Sequence, residues 1–151
     1  MKILFRAIPL ILIALFMSNC ADKPTHLELV VKSGDRLNPN KNDVPSPLML
    51  NFYELKTADQ FTKLDFWALS DEAKKRLESD LISQSKHVII PNEEQNYKIL
   101  FDENTKYFGI VGSFRNIDSN ATWRLLKTLK TKKYNHLEIF IDNNTIKEIE
   151  Q

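Results

Sequence analysis

Apolar residues recur along much of this chain with a period of two. In residues 26–32 (HLELVVK), Leu27, Leu29 and Val31 share one side of an extended segment, with charged or polar neighbours between them. That alternation predicts a half-buried strand. Residues 48–56 repeat it through Leu48, Leu50 and Phe52, and residues 97–101 through Tyr97, Ile99 and Phe101. Residues 86–90 end apolar and stop at Pro91. Residues 107–114 (YFGIVGSF) form an unbroken apolar run, as expected of a strand covered on both faces, with Gly109 and Gly112 leaving room for close packing or a bulge. Residues 121–129 and 136–141 follow, and the latter turns through Asp142, Asn143 and Asn144 into residues 145–149. An Asn pair suits a tight hairpin. The pattern predicts about eight short strands.

Residues 57–81 break this period. Leu69, Ala73, Leu77 and Leu81 fall four apart, the spacing of one helix face. Ser70 is placed to cap that helix, Asp71 and Glu72 suit its first turn, and Asp71–Lys75 and Glu72–Arg76 are i,i+4 pairs. Phe61, Phe66 and Trp67 are expected to pin the insert to a sheet. The fold class read from the pattern is therefore mainly β, a β-sandwich with a small helical insertion at about residues 57–81.

Between the first two strands lie fourteen residues, 33–46 (SGDRLNPNKNDVPS), with two prolines and only Leu37 and Val44 apolar. A loop this long inside a compact domain is uncommon, and such loops often carry function. A plain surface loop is the other account. With so few apolar side chains, it is expected to contribute little to the core.

The N-terminus changes the picture most. Residues 1–20 read MKILFRAIPLILIALFMSNC. Lys2 and Arg6 make a basic start; Ala7 to Met17 is apolar but short of the roughly twenty residues that span a bilayer. Ser18 and Asn19 then lead to Cys20, the only cysteine. This is an export signal, and its closing cysteine resembles that of bacterial lipoproteins. There the sulfur carries a diacylglyceryl group and the new amine an N-acyl chain, both covalent. Two plainer accounts are a secretory signal with an incidental cysteine and an uncleaved anchor. Asn19 stands where lipoprotein signals usually have Gly, Ala or Ser. Ala21 after the cysteine favours the outer membrane, because Asp there favours inner-membrane retention. The expected organisation is a signal peptide over residues 1–19, an acylated cysteine with a polar tether over 20–25, and a periplasmic sandwich domain over 26–151.

Composition adds exclusions. The whole chain has 21 basic and 20 acidic residues. Loss of Lys2 and Arg6 leaves 19 against 20, too little basic excess for a nucleic-acid binder. A single cysteine rules out an internal disulfide, so the domain depends on its core. His26, His87 and His136 show no ligand spacing and read as packing or surface residues. Ser46, Ser70 and Ser113 lack a nucleophile-elbow setting. Asp59, Asp65 and Asp71, six apart, face different sides of a helix. Trp67 and Trp123 could serve as ligand platforms, but both sit in apolar patterns and are expected in the core. Lys127, Lys130, Lys132 and Lys133 form a basic run, either a solvated strand end or a patch for a partner or anionic lipid. Asp118-Ser119-Asn120-Ala121-Thr122 fits the acid-x-Asn-x-Thr pattern of bacterial N-glycosylation, which makes Asn120 a candidate acceptor. A local turn held by Asp118 is the favoured account; an intact mass explained by lipid alone would eliminate the glycan.

Several ordered blocks then resemble one family. They include Leu37-Asn38-Pro39, Pro45-Ser46-Pro47 leading into Phe52-Tyr53-Glu54-Leu55-Lys56, Phe61, and Asp65-Phe66-Trp67-Ala68-Leu69. Asp80-Leu81 and Pro91 come next. The most specific are Gly109-Ile110-Val111-Gly112-Ser113-Phe114-Arg115-Asn116-Ile117 and Trp123-Arg124. Behind a lipoprotein signal, they resemble the type VI secretion outer-membrane lipoproteins of the TssJ (SciN/VasD) family. The resemblance implies a transthyretin-like β-sandwich, no enzymatic activity and no cofactor. It implies a structural subunit lipid-anchored on the periplasmic face of the outer membrane. Its partner would be the periplasmic C-terminal domain of TssM, in a complex with TssL. It also implies that the loop between the first two strands contacts the partner: Gly34, Asp35, Arg36, Leu37, Asn38, Pro39, Asn40, Lys41, Asn42, Asp43 and Val44. The alternative from another class is a periplasmic binding module for a small ligand or glycan, which would need an apolar pocket with convergent polar groups.

Overall fold

The computed structural model describes residues 23–118 and 120–150. The expected signal peptide, with Cys20 and Ala21, lies outside the described residues. Eight strands form two four-stranded sheets. They are β1 (His26–Ser33), β2 (Leu48–Leu55), β3 (Leu81–Ile89), β4 (Glu94–Leu100), β5 (Tyr107–Gly112), β6 (Arg124–Thr128), β7 (Tyr134–Asp142) and β8 (Thr145–Glu148). One sheet has the order β4-β1-β7-β8 and the other β3-β2-β5-β6. Neighbours are antiparallel except β1 and β7, which run parallel.

The expected alternation places side chains as read. Leu27, Leu29 and Val31 of β1 face inward beside Leu137, Ile139 and Ile141 of β7, and meet Leu48, Leu50, Phe52, Phe108 and Ile110 of the other sheet in one apolar core. The first sheet shows its other face to water, where Lys32 pairs with Glu138 and Glu94. The second sheet is covered on both faces. Over its outer face lie three short helices, α1 (Asp59–Lys63), α2 (Phe66–Asp71) and α3 (Ala73–Leu77). Phe61, Phe66, Leu69, Ala73 and Leu77 there pack on Tyr53, Leu55 and Val111. Tyr53 ties the layers, donating its hydroxyl to the Leu69 carbonyl at 2.7 Å, and burial raises that hydroxyl's pKa well above its ordinary value. Gly109 makes the close packing possible, because a Cβ there would lie 2.6 Å from the Phe61 ring.

Four expectations change. The four-residue spacing is one packed face but not one helix. Backbone breaks at Glu72 (φ −119, ψ 18) and Glu78 (φ 45, ψ −118) divide it, and Leu81 opens β3. The side-chain cap is Asp65, which accepts the Ala68 N–H at 2.8 Å, and Ser70 lies inside α2 with its hydroxyl buried and unpartnered. Of the two helical pairs, Glu72–Arg76 forms at 2.8 Å. Trp67 is not in the core but 68% exposed. Phe66 takes the inward position, and adjacent residues on a helix point about 100° apart. Trp123 is partly buried against both clusters, with the Arg124 guanidinium 4.8 Å from its ring.

Candidate partner-binding surface

The strand directions sort the connections between the two ends of the sandwich. The β1–β2, β3–β4, β5–β6 and β7–β8 connections all lie at one end of the sandwich. The chain enters the sandwich at the other end, where Thr25 accepts the Lys132 N–H on its hydroxyl and the Phe101 N–H on its carbonyl. Strand β1, eight residues long, carries the chain from one end to the other, about 26 Å at strand rise.

The long segment after β1 divides in two. Its base is stitched into the sandwich. Gly34 N–H donates to the Ile141 carbonyl at 2.8 Å, Arg36 N–H to the Asp142 carboxylate at 3.1 Å, and Asn143 N–H to the Arg36 carbonyl at 3.1 Å. Leu37 is fully buried in the main core. Asn38, at φ 44, is a hub: its N–H reaches the Asn143 carbonyl, its amide donates to the Pro47 carbonyl at 2.8 Å, and its side-chain oxygen accepts the Arg115 N–H at 2.8 Å. Contrary to the reading that residues 34–44 contribute little to the core, this half holds three connections together.

The tip is different. Asn40 N–H bonds the Val44 carbonyl at 2.9 Å, and the Asn40 side chain accepts the N–H groups of Asn42 and Val44 at 2.8 and 3.1 Å. Asp43 takes φ 57. The bonds of residues 40–44 are thus largely internal, which presets the tip's shape without the core. Lys41, Asn42, Asp43 and Val44 are exposed, Val44 at 52%. Across a cleft of about 890 Å³, the tip faces Arg115 and Asn116 of the β5–β6 connection. Those two residues belong to the family resemblance but lie outside the loop that it implies as the contact. The signal was their position after β5, which only the pairing of the sheets brings beside the tip.

Other candidate chemistry is scattered or already committed. The crevice between β3 and β4, about 310 Å³, is lined by Phe52, His87, Tyr97 and Phe108. Most of its polar groups are bonded to each other or to near neighbours: Ser83 donates to Glu54 at 2.6 Å, Thr105 to Glu54 at 2.9 Å, and Ser85 bonds His87 at 2.9 Å, while the exposed Lys98 also lines it. Burial lowers the His87 pKa and raises that of Tyr97. Nothing converges on an empty point as a ligand site would need. Among the described residues no cluster of His, Cys, Asp or Glu could hold a metal ion, and no helix is long and apolar enough to cross a membrane. Asp118 accepts the Asn120 N–H at 2.9 Å, the local turn read from the sequence. In the basic run, Lys127 pairs with Glu148, and Lys130, Lys132 and Lys133 occupy the exposed β6–β7 turn.

Known proteins resemble this arrangement over nearly the whole domain. The family model described as "Type VI secretion lipoprotein, VasD, EvfM, TssJ" matches residues 25–144. The crystal structure of the type VI lipoprotein TssJ1 from Pseudomonas aeruginosa is 31% identical, with a TM-score of 0.80 over 85% of this chain and 97% of that one. Serratia marcescens Lip, a membrane-bound component of the same system, shares the fold at 18% identity and a TM-score of 0.78, over 85% and 98% of the two chains. A chain of the structure described as the TssM C-terminal domain (869–1107) from EAEC shares the fold at 21% identity and a TM-score of 0.71, over 84% and 99%. No curated protein sequence matches. The fold is the transthyretin-like β-sandwich, and the chain belongs to the type VI secretion lipoprotein family of TssJ and VasD, structural proteins that are not enzymes and have no known cofactor.

Proposed function

We propose that this chain is the outer-membrane subunit of a type VI secretion membrane complex. Acyl chains on Cys20 fasten it to the periplasmic face of the outer membrane. The tip of the β1–β2 connection, with Arg115 and Asn116 opposite, holds the periplasmic C-terminal domain of TssM, and TssL completes the assembly. The observation that carries this reading is the polarity of the sandwich. The tether enters at one end, and the exposed, internally bonded tip stands at the other. An anchored subunit built this way presents its tip towards the periplasm.

Two experiments test it. Cys20→Ser should leave the domain folded but release it from the membrane fraction; retention there would sink the lipid anchor. In a pull-down, the chain from Ala21 onward should retain a large inner-membrane protein from envelope extract of its own source. Capture of none would remove the partner assignment.

A further inference from the structure

The tether end of the sandwich has its own chemistry, separate from the tip. Strand register places Leu100, His26 and Tyr134 side by side on the outer face of the first sheet, at its tether end. Leu100 is 66% exposed and Tyr134 51%. They flank a shallow groove of about 530 Å³ whose wall includes Lys23 and Pro24 of the tether itself. Beside it runs the β6–β7 turn with Lys130, Lys132 and Lys133, all exposed. The turn is stapled to the tether through Lys132 N–H to Thr25 at 2.7 Å and His26 N–H to the Lys133 carbonyl at 3.2 Å. Nearby acids are partly occupied: Glu28 accepts the Tyr134 hydroxyl at 2.7 Å, and Asp102 accepts the Asn104 N–H at 2.8 Å. Glu103 is exposed at the same end.

We propose that this end lies on the membrane surface, with the turn lysines against anionic phosphate groups of the lipid and the Leu100–Tyr134 row at the headgroup boundary. This rests on the reading that Cys20 is acylated. Chain length makes the argument. Thr25 is buried and clamped, and it lies five residues from Cys20, so the clamp stands at most about 18 Å from the lipidated Cα. Screening acts over about 8 Å at physiological ionic strength, and a leash this short lets a turn stapled to that clamp come within that distance of the surface, where the lysine charges and the apolar row then favour contact. A tyrosine and a leucine between lysines fit an interface that is apolar on one side and charged on the other.

The test uses the mature acylated chain in vesicles. Acylation consumes Cys20, so Leu100→Cys or Lys41→Cys gives one thiol for a fluorophore, and lipids with nitroxide headgroups serve as quencher. In phosphatidylethanolamine–phosphatidylglycerol vesicles, the label at 100 should be quenched several-fold more than the label at 41. The excess should fall when Lys130, Lys132 and Lys133 are replaced by Gln, and in phosphatidylcholine vesicles. Equal quenching at both positions on vesicle-bound protein overturns the inference and leaves the anchor standing. Failure to float with vesicles overturns both. Quenching indifferent to lipid and lysine charge contradicts the lysine contacts, and shielding of position 100 only when TssM domain is added makes this face a protein contact instead.

Discussion

The two halves of the β1–β2 connection are adjacent in sequence and alike in composition, yet they obey different physics. The base, residues 34–38, has its polar backbone satisfied by strands and loops far away in sequence and puts Leu37 into the core. The tip satisfies much of its polar backbone from within, through Asn40, and leaves its remaining side chains in water. A base coupled to the core can aim a tip that contributes little to stability. On the proposed reading of the tip as the partner contact, that division lets the contact be well placed while its side chains stay uncoupled from the core.

Breaking the base should cost most. Leu37→Ala removes a fully buried side chain and should destabilise the domain by about 2–5 kcal/mol, read as a lowered denaturant midpoint. Gly34→Ala places a Cβ 2.3 Å from the Asp142 carboxylate, which also accepts Arg36 N–H. A loss of about 1–3 kcal/mol is expected. Asn38→Ala strands the Arg115 N–H and the Pro47 carbonyl and puts alanine at φ 44, for a loss of about 1–3 kcal/mol. Asn40→Ala loosens only the tip, so unfolding should shift by about 1 kcal/mol or less while partner affinity falls further. Val44→Ser should leave stability within about 0.5 kcal/mol and still weaken binding, as an exposed apolar contact would. Equal stability losses from Leu37→Ala and Val44→Ser would erase the distinction.

Much of this fold was legible because period-two patterns record which face of a strand is wet. Leu27, Leu29 and Val31 declare the inner face of the first sheet, and the unbroken run from Phe108 to Gly112 declares a strand buried on both sides. The helical insert was legible as a packed face and misread as a continuous helix, since spacing reports which residues share a neighbour and not the backbone between them. Trp67 was misplaced because an aromatic pair gives no sign of which ring turns inward. The loop was recognised from length and polarity, but its division was not visible. Leu37 and Val44 look equivalent in sequence. Only the pairing of Asn38 with Pro47, Arg115 and Asn143 buries one and leaves the other exposed. The approach of Arg115 and Asn116 to the tip is hidden in the sequence for the same reason.

The most direct measurement titrates the periplasmic C-terminal domain of TssM from the same source against two forms of the chain from Ala21 onward. One is unaltered. In the other, residues 41–43 are replaced by Asn-Gly, which keeps the Asn40–Val44 closing pair, together with Val44→Ser. With thermal unfolding followed in parallel, the account predicts superimposable melting and an affinity loss of about tenfold or more. Unchanged affinity at unchanged stability would contradict it and move the partner surface away from the tip.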